Sequence, residues 1–231
     1  MELSKELEKS IDIITDQPQI LVPYIIPAVI GLIALWVRIT NIVSWGITRL
    51  YPLGRGPLEF FTYFVRSIQA LRIYDWVLWI IVLAILAVCV ALTIVMTDAH
   101  MSGSPVTLGS AFDAVGDRLI PVIIAFVISW VLKFFGMFFF WVGVFVPSVL
   151  LVFVGQGILL DNKDLFDSFS SSYDKAKEIW GKILVVLFGF VVILAVVRSV
   201  LFISVIVSCF LMGYSAVLFT VMYRDRSVIP K

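Results

Sequence analysis

The chain has 231 residues, 61% of them hydrophobic and only 14% charged, with a formal net charge of +1; its mean hydropathy is +1.09. A soluble domain carries roughly a quarter charged residues, so much of this surface must face something apolar. The near-neutral balance gives no general electrostatic case for nucleic acid or an acidic partner.

Read from the start, Leu3, Leu7, Ile11 and Ile14 form an amphipathic helical stripe over 3–14. Glu2, Lys5, Glu6, Glu8, Lys9, Asp12 and Asp16 leave no compact apolar core of the kind a signal peptide needs. A first crossing is predicted over 20–37, with Pro23 and Pro27 near its start, where proline costs least. Residues 38–75 carry five arginines. Within them, 39–53 is apolar enough to dip into the membrane, the Gly54-Arg55-Gly56-Pro57 turn would end the dip, and Leu58, Phe61, Val65 and Ile68 make a second stripe over 58–71. A full crossing there would change the parity of everything downstream.

A second crossing is predicted over 76–96, anchored by Trp76 and Trp79. A third stripe over 107–119 (Leu108, Phe112, Val115, Leu119) has Thr107 as its expected N-cap. The third crossing, 119–135, is short. Leu119 to Leu132 spans about 21 Å at 1.5 Å per residue, against a hydrocarbon core of about 30 Å. Either it recruits the preceding turn, or Lys133 reaches the headgroups along its stem. The fourth crossing, 136–154, contains Pro147. Next comes a fourth stripe over 164–180 (Leu165, Phe169, Tyr173, Ala176, Trp180), with Asn162 as its expected N-cap and Asp161, Asp164 and Asp167 favouring the helix start. The fifth crossing, 183–198, ends at Arg198, and the sixth, 199–222, ends at Tyr223, Arg224, Asp225 and Arg226. The expected fold is all-α: a polytopic transmembrane bundle of about six crossings with interfacial amphipathic helices, all one membrane domain over 1–231.

Thr107-Leu108, Phe112, Asp117 and Arg118 align without gaps with Asp164-Leu165, Phe169, Asp174 and Lys175. Each set precedes a short crossing, a lone cation (Lys133 or Arg198) and a longer crossing. Duplication explains this, and so does shared amphipathicity. With six crossings, the N-terminus, 97–118, 155–182 and the C-terminal tail share one side with ten Lys and Arg, against seven opposite. The positive-inside bias therefore favours a cytoplasmic membrane protein with both termini cytoplasmic.

Chemistry is sparse. No nucleophile elbow, His-Glu-x-x-His or phosphate loop occurs, so no catalytic residue is named. One histidine, His100, argues against a four-ligand zinc site, and no metal or cofactor is expected. Cys89 and Cys209 read as small buried hydrophobes. Asp98, His100, Asp113 and Asp117 share one loop and helix; they read as solvated rather than as a cation or acid–base site. Ser170, Ser171 and Ser172 read as a polar helix face. Ala87/Ala91, Ser204/Ser208 and Cys209/Gly213 are small-residue pairs that let helices approach closely. Lys133 and Arg198 are the candidate site residues. Their place at two hairpin bends favours anchoring, and contact with an anionic ligand or lipid headgroup is the functional alternative.

One resemblance rests on Asp16-Gln17-Pro18-Gln19-Ile20-Leu21-Val22-Pro23, then Gly136, a helix with Pro147, Asp161, Leu165-Phe166, Ser168, Ser170-Ser171, Lys175 and Trp180. The order resembles an uncharacterised multi-pass family related to the membrane domain of some glycerophosphodiester phosphodiesterases. It implies a six-helix membrane domain without the phosphodiesterase, which is a separate soluble domain. The resulting expectation is a non-catalytic membrane or envelope organising protein, with the lipid bilayer and another membrane protein or a second copy as partners. The alternative is a small transporter or channel with a site near Lys133 and Arg198. A closed apolar interior would favour the first; a midplane cavity lined by polar groups and either cation would favour the second.

Overall fold

The computed structural model describes residues 2–46, 73–104, 107–136 and 140–227. The stripe at 58–71, the turn at 54–57 and residues 47–53 of the apolar dip lie outside them. The described residues are helical almost throughout and contain no strand. In chain order they form α1 (Leu3–Asp16), a 3-10 segment (Pro18–Tyr24), α2 (Ile25–Gly46), α3 (Ile73–Met101), α4 (Leu108–Gly116), α5 (Leu119–Gly136), α6 (Phe140–Leu150), α7 (Val154–Leu160), α8 (Leu165–Val197) and α9 (Leu201–Ser227). Among the described residues, six spans are long and apolar enough to cross a bilayer: Pro18–Trp36, Ile80–Met101, Leu119–Gly136, Gly143–Leu160, Leu165–Val197 and Leu201–Asp225. The chain is an integral, multi-pass, all-α membrane protein. Its outward faces agree: Ile120, Phe135, Phe188 and Val196 are exposed, which lipid stabilises and water would not.

The prolines of the first span set its geometry. Pro23 has no N–H to close a three-residue turn onto Ile20, and Pro27 has none for the carbonyl of Pro23, four residues back. Both carbonyls are satisfied from α3: Thr93 Oγ1 donates to Ile20 O at 3.3 Å, and Cys89 Sγ donates to Pro23 O at 3.2 Å. Freed backbone groups in a bilayer need such partners. These bonds also fix direction, because residues 20 and 23 meet 93 and 89, so the first span and α3 run antiparallel. Gly213 of α9 packs here too; a Cβ on it would lie 2.7 Å from Leu21 and 2.8 Å from Tyr24.

The fourth span is broken. Pro147 lies inside α6, the helix stops at Leu150, and α7 restarts at Val154. Ser172 of α8 fills the break: its Oγ accepts from the Phe153 N–H at 3.1 Å and donates to Leu150 O at 2.7 Å. α7 ends at Leu160 with Asp161 as its C-cap, and the next residue, Asn162, has a left-handed φ of 52°, a conformation asparagine tolerates. The expected N-cap role of Asn162 is therefore wrong. Asp164 holds the N-cap position of α8, while Asn162 turns the chain one step earlier. Thr107 does cap α4, accepting from Ser110 N–H at 3.2 Å.

α8 kinks at Ile179 (φ −125°, ψ 20°), dividing an amphipathic first part from an apolar second. Its face toward the protein is Ser168, Ser172, Ala176, Ile179 and Ile183, all buried. Phe166, Tyr173 and Trp180 point outward. Tyr173 and Trp180, read in the sequence as part of one apolar stripe of an interfacial helix, thus face away from the bundle, while Ala176 of the same stripe faces it. Without a hydrophobic drive between helices in lipid, small residues pack and large apolar ones meet the bilayer. The core comprises two clusters, one around Ile20, Met96, Val115 and Ile158, the other around Phe153, Ile183, Leu218 and Tyr223. α9 joins them, with every residue from Ala216 to Tyr223 buried.

Candidate intramembrane cavity and its polar lid

Between α3, α5, the broken α6–α7 span, α8 and α9 lies a cavity of about 220 Å³. Most of its wall is apolar, from Ile94, Val122, Phe126, Phe190 and Phe219. Its polar members are Lys133 and Ser129 on α5, Ser148 on α6, Gln156 on α7 and Ser215 on α9. Gln156 is 2% exposed, and its Oε1 has no hydrogen-bond partner. Lys133 forms no ion pair with any described residue. An unpaired cation and an unpaired acceptor, both in an apolar bundle, are each unfavourable alone. Both line the same cavity, one offering a cationic donor and the other a free acceptor.

Depth follows from helical rise. Lys133 lies fourteen residues along α5 from Leu119, about 21 Å. Gln156 lies five residues from Asp161 at the end of the span, about 8 Å. The cavity therefore extends over the middle of the bilayer rather than sitting at one surface.

One turn beyond the cavity, at the end that gathers α1 and the C-terminus of α9, the walls carry charge. Asp98 follows Ile94 by four residues, and Tyr223 follows Phe219 by four, placing each pair on one helix face. Arg224 grips Asp98 with two bonds, from Nε to Oδ1 and from a terminal nitrogen to Oδ2 at 2.8 Å. The Tyr223 hydroxyl donates to Asp161 Oδ2 at 2.5 Å. Lys163 and Lys175 stand 3.5 and 3.6 Å from the same oxygen, and Lys175 Nζ lies 3.3 Å from the centre of the Tyr223 ring. Partial burial pushes the Asp161 carboxyl up, but the Tyr223 hydrogen bond and the charges of Lys175 and Lys163 outweigh it and hold it below its ordinary value. Around this layer, Lys9 reaches Asp225 at 3.4 Å and Lys182 reaches buried Glu6 at 3.0 Å.

These contacts bring the N-terminal helix, the end of α3, the 161–182 region and the end of α9 to one end of the bundle.

The two cations of the sequence reading part company. Lys133 lines the cavity, whereas Arg198 is the exposed C-cap of α8 and is not among the residues of the cavity wall. Asp98, His100, Asp113 and Asp117 are not assembled: Asp98 binds Arg224, and Asp113 and Asp117 are exposed on and just after α4. Among the described residues no group of three or more His, Cys, Asp or Glu could hold a metal ion. Sequence reading missed Gln156, Ser129, Ser148 and Ser215. Their one signal was a neutral polar side chain inside an apolar run, strongest in Gly155-Gln156-Gly157. No protein-family model, curated protein or solved structure matches this chain.

Proposed function

We propose that this protein is a small carrier for a compact organic anion. The observation that carries the reading is the shared cavity of Lys133 and the unpartnered Gln156 carbonyl. At about 30 Å³ per water, the volume corresponds to about seven waters, which suits a short carboxylate rather than a nucleotide or a whole lipid. Lys133 would pair with the carboxylate, Gln156 would accept from a hydroxyl or ammonium donor, and the serines would complete the shell. The broken α6–α7 span supports transport, since discontinuous helices line the sites of many carriers. The Asp98–Arg224 and Asp161–Tyr223 contacts would then close one end of the bundle, the end for which the Lys and Arg distribution favours the cytoplasm. The organising-protein reading has less support, because it called for a closed apolar interior. The resemblance to the phosphodiesterase-associated membrane domain enters this proposal as architecture alone.

The test is a flux screen in protein-loaded liposomes over small carboxylates and inorganic anions. At least one saturable flux is expected. Lys133→Gln should reduce it about tenfold or more, the worth of one charge-assisted hydrogen bond, and Arg198→Gln should leave it intact. Absence of flux across the panel, together with no thermal stabilisation by any of these anions, would sink the reading.

A further inference from the structure

A second space lies on the outside of the bundle, in the crevice between α6 and α8. It has a volume of about 530 Å³ and opens sideways toward the region where lipid must be. One wall is Phe145, Val146, Val149 and Leu150; the other is Lys177, Trp180, Leu184 and Phe188. The second set is spaced three, four and four residues apart, one stripe down a helix. From Trp180, just past the kink at Ile179, to Phe188 the stripe runs about 12 Å. Lys177 is its only charged member, and it forms no ion pair with any described residue.

We propose that this crevice binds one anionic glycerophospholipid, with its phosphate at Lys177 and an acyl chain along Trp180, Leu184 and Phe188. Three observations fix the occupant. The charge is at the end of the stripe nearest the polar layer, where a headgroup must be. Trp180, 60% exposed, follows at the level where indole rings sit between headgroup and hydrocarbon. Below it the walls are wholly apolar for two further turns, as an acyl chain requires and a soluble ligand does not.

The site stands independently of the cavity reading, yet the two spaces share a wall. On α6, Val146, Val149 and Leu150 face the crevice, while Ser148, followed by Leu151 and Val152, faces the cavity. A lipid in the crevice therefore leans on the broken span itself.

The experiment uses the full chain in vesicles of phosphatidylcholine alone and of phosphatidylcholine with phosphatidylglycerol in equal parts. Co-purifying lipid is counted by native mass spectrometry, and thermal unfolding is followed in parallel. The expected result is selective retention of one phosphatidylglycerol, with higher thermal stability in the mixed vesicles. Lys177→Gln should weaken retention about fivefold, the worth of one lysine near an anionic surface, and Arg198→Gln should not. Leu184→Trp, which fills the crevice and keeps the charge, should weaken it too. Equal retention of the two lipids, or equal phosphatidylglycerol retention by Lys177→Gln, would overturn the proposal. So would a disulfide-linked dimer of Val146→Cys forming in place of lipid retention.

Discussion

The two hairpins α5–α6 and α8–α9 carry the same parts in the same order, a short apolar run, one cation and a longer run, yet they are built differently. In the first, Gly136 and Gly143 bring the two backbones into direct contact, and the cation turns into a cavity. In the second, the cation caps a helix at an exposed bend, and Val196, Val200 and Leu201 around it face outward. A lone charge in an apolar run is thus not one kind of object. What surrounds it after packing decides whether it anchors or binds, and the glycines determine how closely its hairpin closes.

The largest effect should come from those glycines. A Cβ at Gly136 would fall on the backbone of Gly143, and the reverse holds as well, so no side-chain adjustment relieves it. Gly143→Val is expected to lose about 3 kcal/mol or more of stability, read as a collapse of thermal unfolding temperature in detergent. Gly189 of α8 has nothing within 4 Å of such a Cβ. Gly189→Ala should therefore stabilise, by about 0.5 to 1 kcal/mol. A tolerant Gly143 would erase the distinction between the hairpins.

The cations come next. Lys133→Met removes an unpaired charge from the bundle and should raise stability by about 2 to 3 kcal/mol while abolishing any anion-dependent stabilisation. Arg198→Met should change stability by less than about 0.5 kcal/mol. Equal effects in thermal unfolding would mean that both residues merely anchor. A smaller effect belongs to Ser172, which joins α8 to the break in the first hairpin's long arm. Ser172→Ala leaves the Phe153 N–H and the Leu150 carbonyl without the hydroxyl and should cost about 2 kcal/mol. Exposed Ser170→Ala, two residues away, should cost less than about 0.5 kcal/mol.

Much of this frame was visible in the sequence because the bilayer imposes it. Long apolar runs, the prolines, the Thr107 cap and the pairing of the N-terminal, 97–118, 155–182 and C-terminal segments all follow from length, backbone chemistry and parity. Three features were not. Ser172 looked like part of a polar face, because a helix break shows no sign of which neighbour repairs it. Which residues of the 164–180 stripe meet the bundle was hidden, because a stripe does not say what its apolar face meets: Ala176 packs inward while Tyr173 and Trp180 face outward. The cavity was invisible because its wall is assembled from residues on six helices. Lys133 and Gln156 lie 23 positions apart, and only the fold makes them neighbours of one space.

The two hairpins also meet, and the smallest expected effect tests that junction. The first ends at Asp161 and the second at Tyr223, and the hydrogen bond between them, flanked by Lys163 and Lys175, clamps the ends together. The Asp161 pKa is depressed in the folded protein. The linkage sign is therefore that of a carboxylate stabilised by folding: the contribution is complete above the ordinary aspartate value of about 3.9 and fades as pH falls through the lowered folded value. Acid should loosen the clamp before it affects the apolar core. Tyr223→Phe removes the donor and moves the Asp161 pKa back up, so the variant should be less stable at neutral pH and lose less on acidification. Asp161→Asn should remove this acid limb. The measurement is thermal unfolding from neutral pH down to pH about 3, below the reference value. An acid limb unchanged in both variants would show that the hairpins are not joined at this point, leaving Arg224 and Asp98 as the contact that holds the end of α9 to the bundle.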